Sequence, residues 1–257
     1  MSCLVYVLAQ QKGGVGKTTT TVNLGAALAE QGQKVLLIDM DPQGALSAVT
    51  GIDMLKVSKT IYDVLRDPKF ELTDAIIKTE HGFDIVAANI DLAAAEMGLA
   101  NEPARDLLLR EKLSDLEGYT RIIIDCPPSL GFLTLNALAA ASRIIIPVQT
   151  QFLALRGMEI LMETINKVKL RINRKMKISG ILPTMVDSRT VHSKEALEQL
   201  KESYGSLVFE TVIPQTVKVS DSTLSGKPLL CFNPTSLAAK AYRSLALEVE
   251  NREKAII

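Results

Sequence analysis

The chain has 257 residues, 47% of them apolar, enough to core one large α/β domain or two small ones. Lys and Arg number 29 against 29 Asp and Glu, so global charge points to no particular partner. No apolar run of about 18 residues occurs, which excludes a membrane-spanning helix. Cys3, Cys126 and Cys231 are far apart with no CxxC pair, which gives neither a zinc site nor a disulfide framework and fits a reducing compartment.

The start of the chain lacks the basic segment, long apolar stretch and cleavage site of a secretory signal. Val5 to Ala9 is instead an apolar run of strand character. Gln10-Gln11-Lys12-Gly13-Gly14-Val15-Gly16-Lys17-Thr18-Thr19 follows, and Thr20 to Glu30 is an Ala/Leu-rich helix. Strand, glycine-rich turn and helix are the context a phosphate-binding loop needs. Gly13, Gly14 and Gly16 let successive N–H groups turn inward as an anion nest, and the helix adds its positive end. Lys17 is spaced to reach β- and γ-phosphates, and the Thr18 hydroxyl to ligate Mg²⁺. Two features depart from the usual pattern: Gln11 stands where its first glycine belongs, and an extra lysine, Lys12, sits early in the loop.

Val35-Leu36-Leu37-Ile38 reads as a parallel strand buried on both faces, ending in Asp39-Met40-Asp41-Pro42-Gln43-Gly44. Two carboxylates at a strand's C-terminal end sit where open α/β sheets bind ligands, although a polar turn with an Asx cap reads the same way locally. Short helices are expected at Tyr62 to Leu65 and Leu72 to Ile77, a strand at Phe83 to Ala87, and helices at Leu92 to Leu99 and Ala104 to Leu116. Arg121-Ile122-Ile123-Ile124-Asp125 is an apolar strand ending in one aspartate, the Walker B pattern, whose carboxylate holds Mg²⁺ opposite the P-loop threonine. Cys126 follows it and reads as a packed small residue, since neither histidine, His81 or His192, is near in sequence.

A helix over Leu133 to Ala141 and a strand over Arg143 to Val148 come next. Leu153 to Ile172 reads as a long helix with Leu161, Ile165, Val168 and Ile172 at helical spacing. Its end is basic: Lys167, Lys169, Arg171, Arg174, Lys175 and Lys177 fall together without an acid between them. Dipole complementation and a nucleic-acid patch both account for this run. Strands are expected near 178–185 and 208–213, helices over Val191 to Tyr204 and from Asn233-Pro234 to Glu250. Charge divides unevenly: residues 1–150 carry 13 Lys/Arg against 18 Asp/Glu, and residues 151–257 carry 16 against 11. A basic second half suits an anionic polymer.

The loop Gln-Lys-Gly-Gly-Val-Gly-Lys-Thr-Thr resembles the deviant Walker A motif of the ParA/MinD ATPases, and the Gln before the first lysine is most similar to the ParA/Soj branch. Asp39 to Gly44 resembles the first switch of that family and Asp125-Cys126-Pro127-Pro128-Ser129 its second. Thr184-Met185-Val186-Asp187-Ser188-Arg189-Thr190 and Val212-Ile213-Pro214-Gln215-Thr216-Val217-Lys218 resemble later family segments, and the likeness runs from Val5 to about Glu250. The resemblance implies a P-loop NTPase fold, a doubly wound, mostly parallel α/β sheet flanked by helices on both faces, in a single domain over residues 1–257. It implies ATP and Mg²⁺ as cofactors, Lys12 reaching across a dimer to the partner's nucleotide, Asp41 orienting or activating the attacking water, and Asp39 supporting the magnesium shell. It places Met185 and Pro214 at the adenine and Arg189, Lys218 and Lys227 on DNA. Gln215 and Lys218 stand where the family usually has arginine, and Asp221-Ser222-Thr223 replaces Glu-Ala-Pro.

The function so implied is an ATP-dependent, self-pairing ATPase that binds DNA without sequence preference and positions a chromosome, plasmid or other cargo. Its hydrolysis would be slow alone and stimulated by a ParB-like protein or cargo adaptor, and its location cytoplasmic, nucleoid-associated in the ATP state. The alternative is a MinD-like membrane-cycling ATPase. That needs an amphipathic basic C-terminal helix, whereas Glu248 to Ile257 is acid-rich with little bulky apolar spacing. A cluster-carrying reductase needs paired cysteines, and a dinucleotide oxidoreductase leaves Gly-Lys-Thr unexplained.

Overall fold

Strands that are apolar at every position can only be covered on both faces, and that requirement organises the molecule. The computed structural model describes residues 3–150 and 154–255. In chain order it runs β1 (Leu4–Leu8), α1 (Lys17–Glu30), β2 (Val35–Asp39), α2 (Ala45–Val49), α3 (Ile61–Arg66), β3 (Ile76–Lys78), β4 (Phe83–Val86), α4 (Leu92–Gly98) and α5 (Leu108–Ser114). It continues through β5 (Arg121–Asp125), α6 (Phe132–Ala140), β6 (Arg143–Gln149), α7 (Ala154–Arg171), β7 (Lys177–Thr184), α8 (Val191–Tyr204), α9 (Val217–Leu224), α10 (Leu229–Phe232) and α11 (Leu237–Lys254). The expected start of α7 at Leu153 lies outside the described residues.

The strands form one sheet in the order β3-β4-β2-β5-β1-β6-β7, parallel except for the edge strand β3. Alternate residues of each strand feed opposite cores. Val7, Leu36, Ile38, Ile124 and Ile146 pack with α3 to α7 on one face. Tyr6, Leu8, Leu37, Ile123 and Leu182 pack with α1, α10 and α11 on the other. The sheet is therefore doubly wound, with helices on both sides. The crossover from β1 to β2 runs one way along the sheet and the crossover from β5 to β6 runs the other, so the crevice at the carboxyl ends of β5 and β1 is a topological switch point. No helix of the described residues is long and apolar enough to cross a membrane.

Four expectations are corrected. Leu72 to Ile77 is not a helix: a 3-10 turn ends at Ala75, and Ile76 and Ile77 pair with Val86 and Ile85 as β3. Ala104, at φ 53°, breaks the helix expected from there, and α5 begins at Leu108. Residues 208–213 make a single isolated bridge to β7, Val208 to Ile181, and the Glu248 carboxylate takes the N–H groups of Glu210 and Thr211 (both 2.9 Å) away from any ladder. The last helix starts at Leu237, capped by Ser236 Oγ accepting from Ala239 N.

Candidate active site

The loop between β1 and α1 turns at Gly14 (φ 72°) and Gly16 (φ 88°), in the left-handed region where a Cβ is strained. Helix α1 then begins at Lys17 with no side-chain cap, so its first N–H groups are left to face an anion. Lys17 is buried, and its Nζ donates to the carbonyl of Lys12 (3.4 Å), which folds the side chain back along the loop. Burial pulls the Lys17 ammonium below its usual range. Lys12, Gly13 and Gly14 are exposed at the loop's outer rim, and Lys12 Nζ donates to Gln149 Oε1 (3.4 Å). Val15 is buried, and its carbonyl accepts from Thr184 Oγ1 (2.8 Å), which ties the loop to the end of β7.

Two carboxylates meet under the loop. Asp39 and Asp125 close neighbouring strands β2 and β5 and are paired in register. Thr18 Oγ1 donates to Asp125 Oδ2 (2.6 Å) and Thr21 Oγ1 to Asp125 Oδ1 (3.4 Å). Asp39 accepts from the backbone of Asp41 (3.0 Å) and from Ser47 N and Oγ (both 3.4 Å). Both acids are fully buried. Burial pushes Asp125 up to about 7, and burial with the Asp125 charge pushes Asp39 well above the carboxylate range. Two acids crowded beside one buried lysine call for a bound cation. Thr18, Asp125 and Asp39 offer only hard oxygen donors, and among the described residues no group of three His, Cys, Asp or Glu is arranged to hold a metal on its own. That donor set fits Mg²⁺, which keeps waters and takes its other ligands from phosphate. Asp41 sits farther out on the loop after β2, half-buried, with Oδ1 accepting from Gln43 N (3.0 Å).

A cavity of about 200 Å³ opens beside Gly16 and Thr19. Met185, held at φ 53°, and Pro214 line it. Thr184, Gln215, Val219 and Ser220, from the same two resembling segments, line it too. Tyr242 also lines it and escaped the sequence reading, as did Thr21. Thr21 was findable, one helical turn beyond Thr18; Tyr242 on α11 was not, because only the tertiary fold brings it to α1.

A family model described as an AAA domain matches residues 4–178. The sporulation initiation inhibitor protein Soj of Bacillus subtilis is 41% identical over 246 residues, 95% of this chain and 97% of that protein. The chromosome partitioning protein ParA of Caulobacter vibrioides is 42% identical over 254 residues, 97% and 95% of the two chains. The chain belongs to the ParA/Soj family of partition ATPases. The same fold is seen in a crystal structure of a Mycobacterium smegmatis protein named cobyrinic acid a,c-diamide synthase, with ADP and magnesium bound. That structure has a TM-score of 0.88 and 39% identity, covering 100% of this chain and 97% of that one.

The ParA/Soj cations expected on DNA lie apart from the phosphate loop. Arg189 stands in the turn after β7 and pairs with Asp187 (2.8 Å), holding that carboxyl down at about 2. Lys218 opens α9 and pairs with Asp221 (3.3 Å). The bridge from Val186 to Pro214 brings their two segments side by side. Lys227 is exposed beyond the end of α9.

Proposed function

We propose that residues 1–257 act as a single P-loop domain that hydrolyses ATP with Mg²⁺, pairs with a second copy in the ATP state, and then holds DNA while it positions cargo. The observation that carries this reading is the Thr18–Asp125 hydrogen bond under an uncapped helix start, with Asp39 and Asp41 on the adjacent strand end. The loop N–H groups and Lys17 bind the phosphates, and Met185 and Pro214 flank the base. Thr18 and Asp125 would hold Mg²⁺, with Asp39 behind them. When bound, Mg²⁺ neutralises charge on the β- and γ-phosphates. Asp41 orients water toward the γ-phosphorus; the new P–O bond forms as the bond to the β-phosphate oxygen breaks, and ADP leaves. The exposed Lys12 reaches the partner's nucleotide. Arg189, Lys218 and Lys227 contact phosphates of DNA without sequence preference.

A ParB-like protein or cargo adaptor stimulates a slow intrinsic turnover by completing the charge arrangement. The protein resides in the cytoplasm, on the nucleoid in its ATP state. A membrane-cycling role is disfavoured because Leu245, Ala246 and Val249 of α11 face the core and Glu253 is buried. Cys126, beside the site, is fully buried, and burial pushes its thiol far up, so it is not poised as a nucleophile.

The test combines two variants with a duplex-binding titration. Lys17→Ala abolishes nucleotide binding; surviving affinity for ATP would remove the loop from its role. Asp41→Ala keeps ATP-dependent pairing and stops turnover, and a variant that still hydrolyses would take Asp41 out of the mechanism. Duplex affinity rises with a non-hydrolysable ATP analogue over ADP; equal affinity in both states would refute the nucleotide switch.

A further inference from the structure

The cations at the end of α7 are left over once the nucleotide site and the Arg189–Lys218 surface are described. Lys169, Arg171, Arg174, Lys175 and Lys177 are all exposed, and among the described residues none of the five makes a side-chain hydrogen bond or an ion pair. Arg189 and Lys218, by contrast, each hold a carboxylate. Complementing the helix dipole accounts for Lys169 and Arg171, which lie in the last turn. It does not account for Arg174, Lys175 and Lys177, which lie beyond the helix.

The segment that carries them is fixed in place. Asn173 donates its amide to three carbonyls at the end of α6, those of Leu138 (3.2 Å), Ala139 (3.1 Å) and Ala141 (2.6 Å). Met176 is 1% exposed, and Lys177 N donates to Ser142 O (3.1 Å). Arg174 and Lys175 therefore project from a turn anchored on both sides. Arg174, Lys169 and Asn166 rim an open groove of about 510 Å³ with Leu170. Holding like charges together on a rigid frame costs energy that a polyanion returns.

The position separates this surface from the nucleotide. Lys177 begins β7, in register with Arg143 at the start of β6, while Thr184 ends β7 against the P-loop. Seven residues of strand put the two ends about 23 Å apart. The cationic turn thus lies at the opposite edge of the sheet from the face on which Lys12 is exposed.

From this we propose a second phosphate-backbone site, formed by Lys169, Arg171, Arg174, Lys175 and Lys177, that holds duplex DNA whether or not nucleotide is bound. A membrane surface suits it less, since Leu170 is the one large apolar side chain in the groove and membrane docking needs an apolar face. The inference borrows from the proposed function only the choice of polymer. It does not depend on the ATP switch.

The experiment is a titration of a fluorescent 30-bp duplex with the full chain, nucleotide-free and with a non-hydrolysable ATP analogue, across a salt series. The wild type is compared with Lys169→Gln/Arg174→Gln/Lys175→Gln and with Arg189→Ala/Lys218→Ala, each checked for an unchanged unfolding midpoint. The wild type should bind weakly without nucleotide. In the triple variant the slope of log affinity against log salt should drop by about 2.7, at about 0.9 per lost phosphate contact. Nucleotide-free binding should survive in the Arg189/Lys218 variant even if that variant loses its ATP-dependent gain, so the two DNA readings fail separately. The proposal is overturned if the wild type shows no nucleotide-free binding at low salt, or if the triple variant keeps the wild-type slope. It is overturned in favour of a lipid surface if the triple variant loses binding to phosphatidylglycerol vesicles but not to the duplex.

Discussion

The hydroxyl of Thr184 ties the end of β7 to the phosphate loop, and its removal tests how that loop is held. Thr184 is 2% exposed, and its Oγ1 donates to the Val15 carbonyl at 2.8 Å. In Thr184→Val a methyl takes the place of the donor. It leaves the Val15 carbonyl without that partner and cannot approach the oxygen as closely, so the loop must shift. Leaving a buried acceptor unsatisfied costs about 1–3 kcal/mol. If the cost falls on the binding-competent loop conformer, nucleotide affinity drops between about fivefold and a hundredfold, at about 1.4 kcal/mol per decade. The assay is a fluorescent-nucleotide titration run beside urea unfolding, with Thr184→Ser as the control that keeps the hydroxyl. The expected pattern is weakened binding in the valine variant and near-wild-type binding in the serine variant. Unchanged nucleotide affinity in the valine variant, whatever its stability, would refute the claim that this contact sets the loop.

The buried Asp125 makes magnesium-dependent binding sensitive to pH. Its folded value near 7 lies above the usual carboxylate range, so its contribution to stability is present at acid pH and lost as pH rises through about 7. Mg²⁺ needs the ionised form, so Mg²⁺-dependent nucleotide affinity should fall up to about tenfold per pH unit below 7, and Asp125→Asn should flatten the profile. Calorimetric titrations at pH 6, 7 and 8 decide this; identical profiles for the two proteins would count against it. The Arg121–Glu250 pair locks α11 across the start of β5, with bonds of 2.8 and 2.6 Å and side chains 9% and 15% exposed. Arg121→Ala should cost about 3–5 kcal/mol in urea unfolding by stranding Glu250, and Arg121→Met/Glu250→Met should recover most of that. A double variant as unstable as the single one would show that the packing, not the stranded charge, matters.

The loop and the strand-end carboxylates of the candidate site were legible because each lies in a local pattern. Glycines, lysine and threonine lie in one loop, and Asp39 and Asp125 each end an apolar run, so the motif and the strand end coincide in sequence. The central strands were legible for the same reason. The misreadings lie where a distant side chain decides. Residues 208–213 have a strand's composition, but Glu248, far along the chain, claims the N–H groups of Glu210 and Thr211. Ile76-Ile77 reads as part of a helix until β4 offers a partner. The cavity beside Gly16 is assembled from β7, α1, α9 and α11, and no local pattern predicts that Tyr242 will reach Thr20 (3.4 Å).

Charge follows a different logic. Whether a cation is spent inside the fold depends on which carboxylate the fold delivers to it. Arg143 looks as available as Lys177 in sequence, and the two are register partners. Yet Arg143 Nε donates to Glu253 (2.7 Å) from α11, and Lys177 receives no such partner among the described residues. The chain's cations are thus sorted by tertiary structure into those that hold helices to the sheet and those that stay available. The second group is concentrated on the turn that Asn173 anchors. A count of charges along the sequence could raise the question of an anionic partner. Only the pairing of each charge in the fold says which residues are left to meet one.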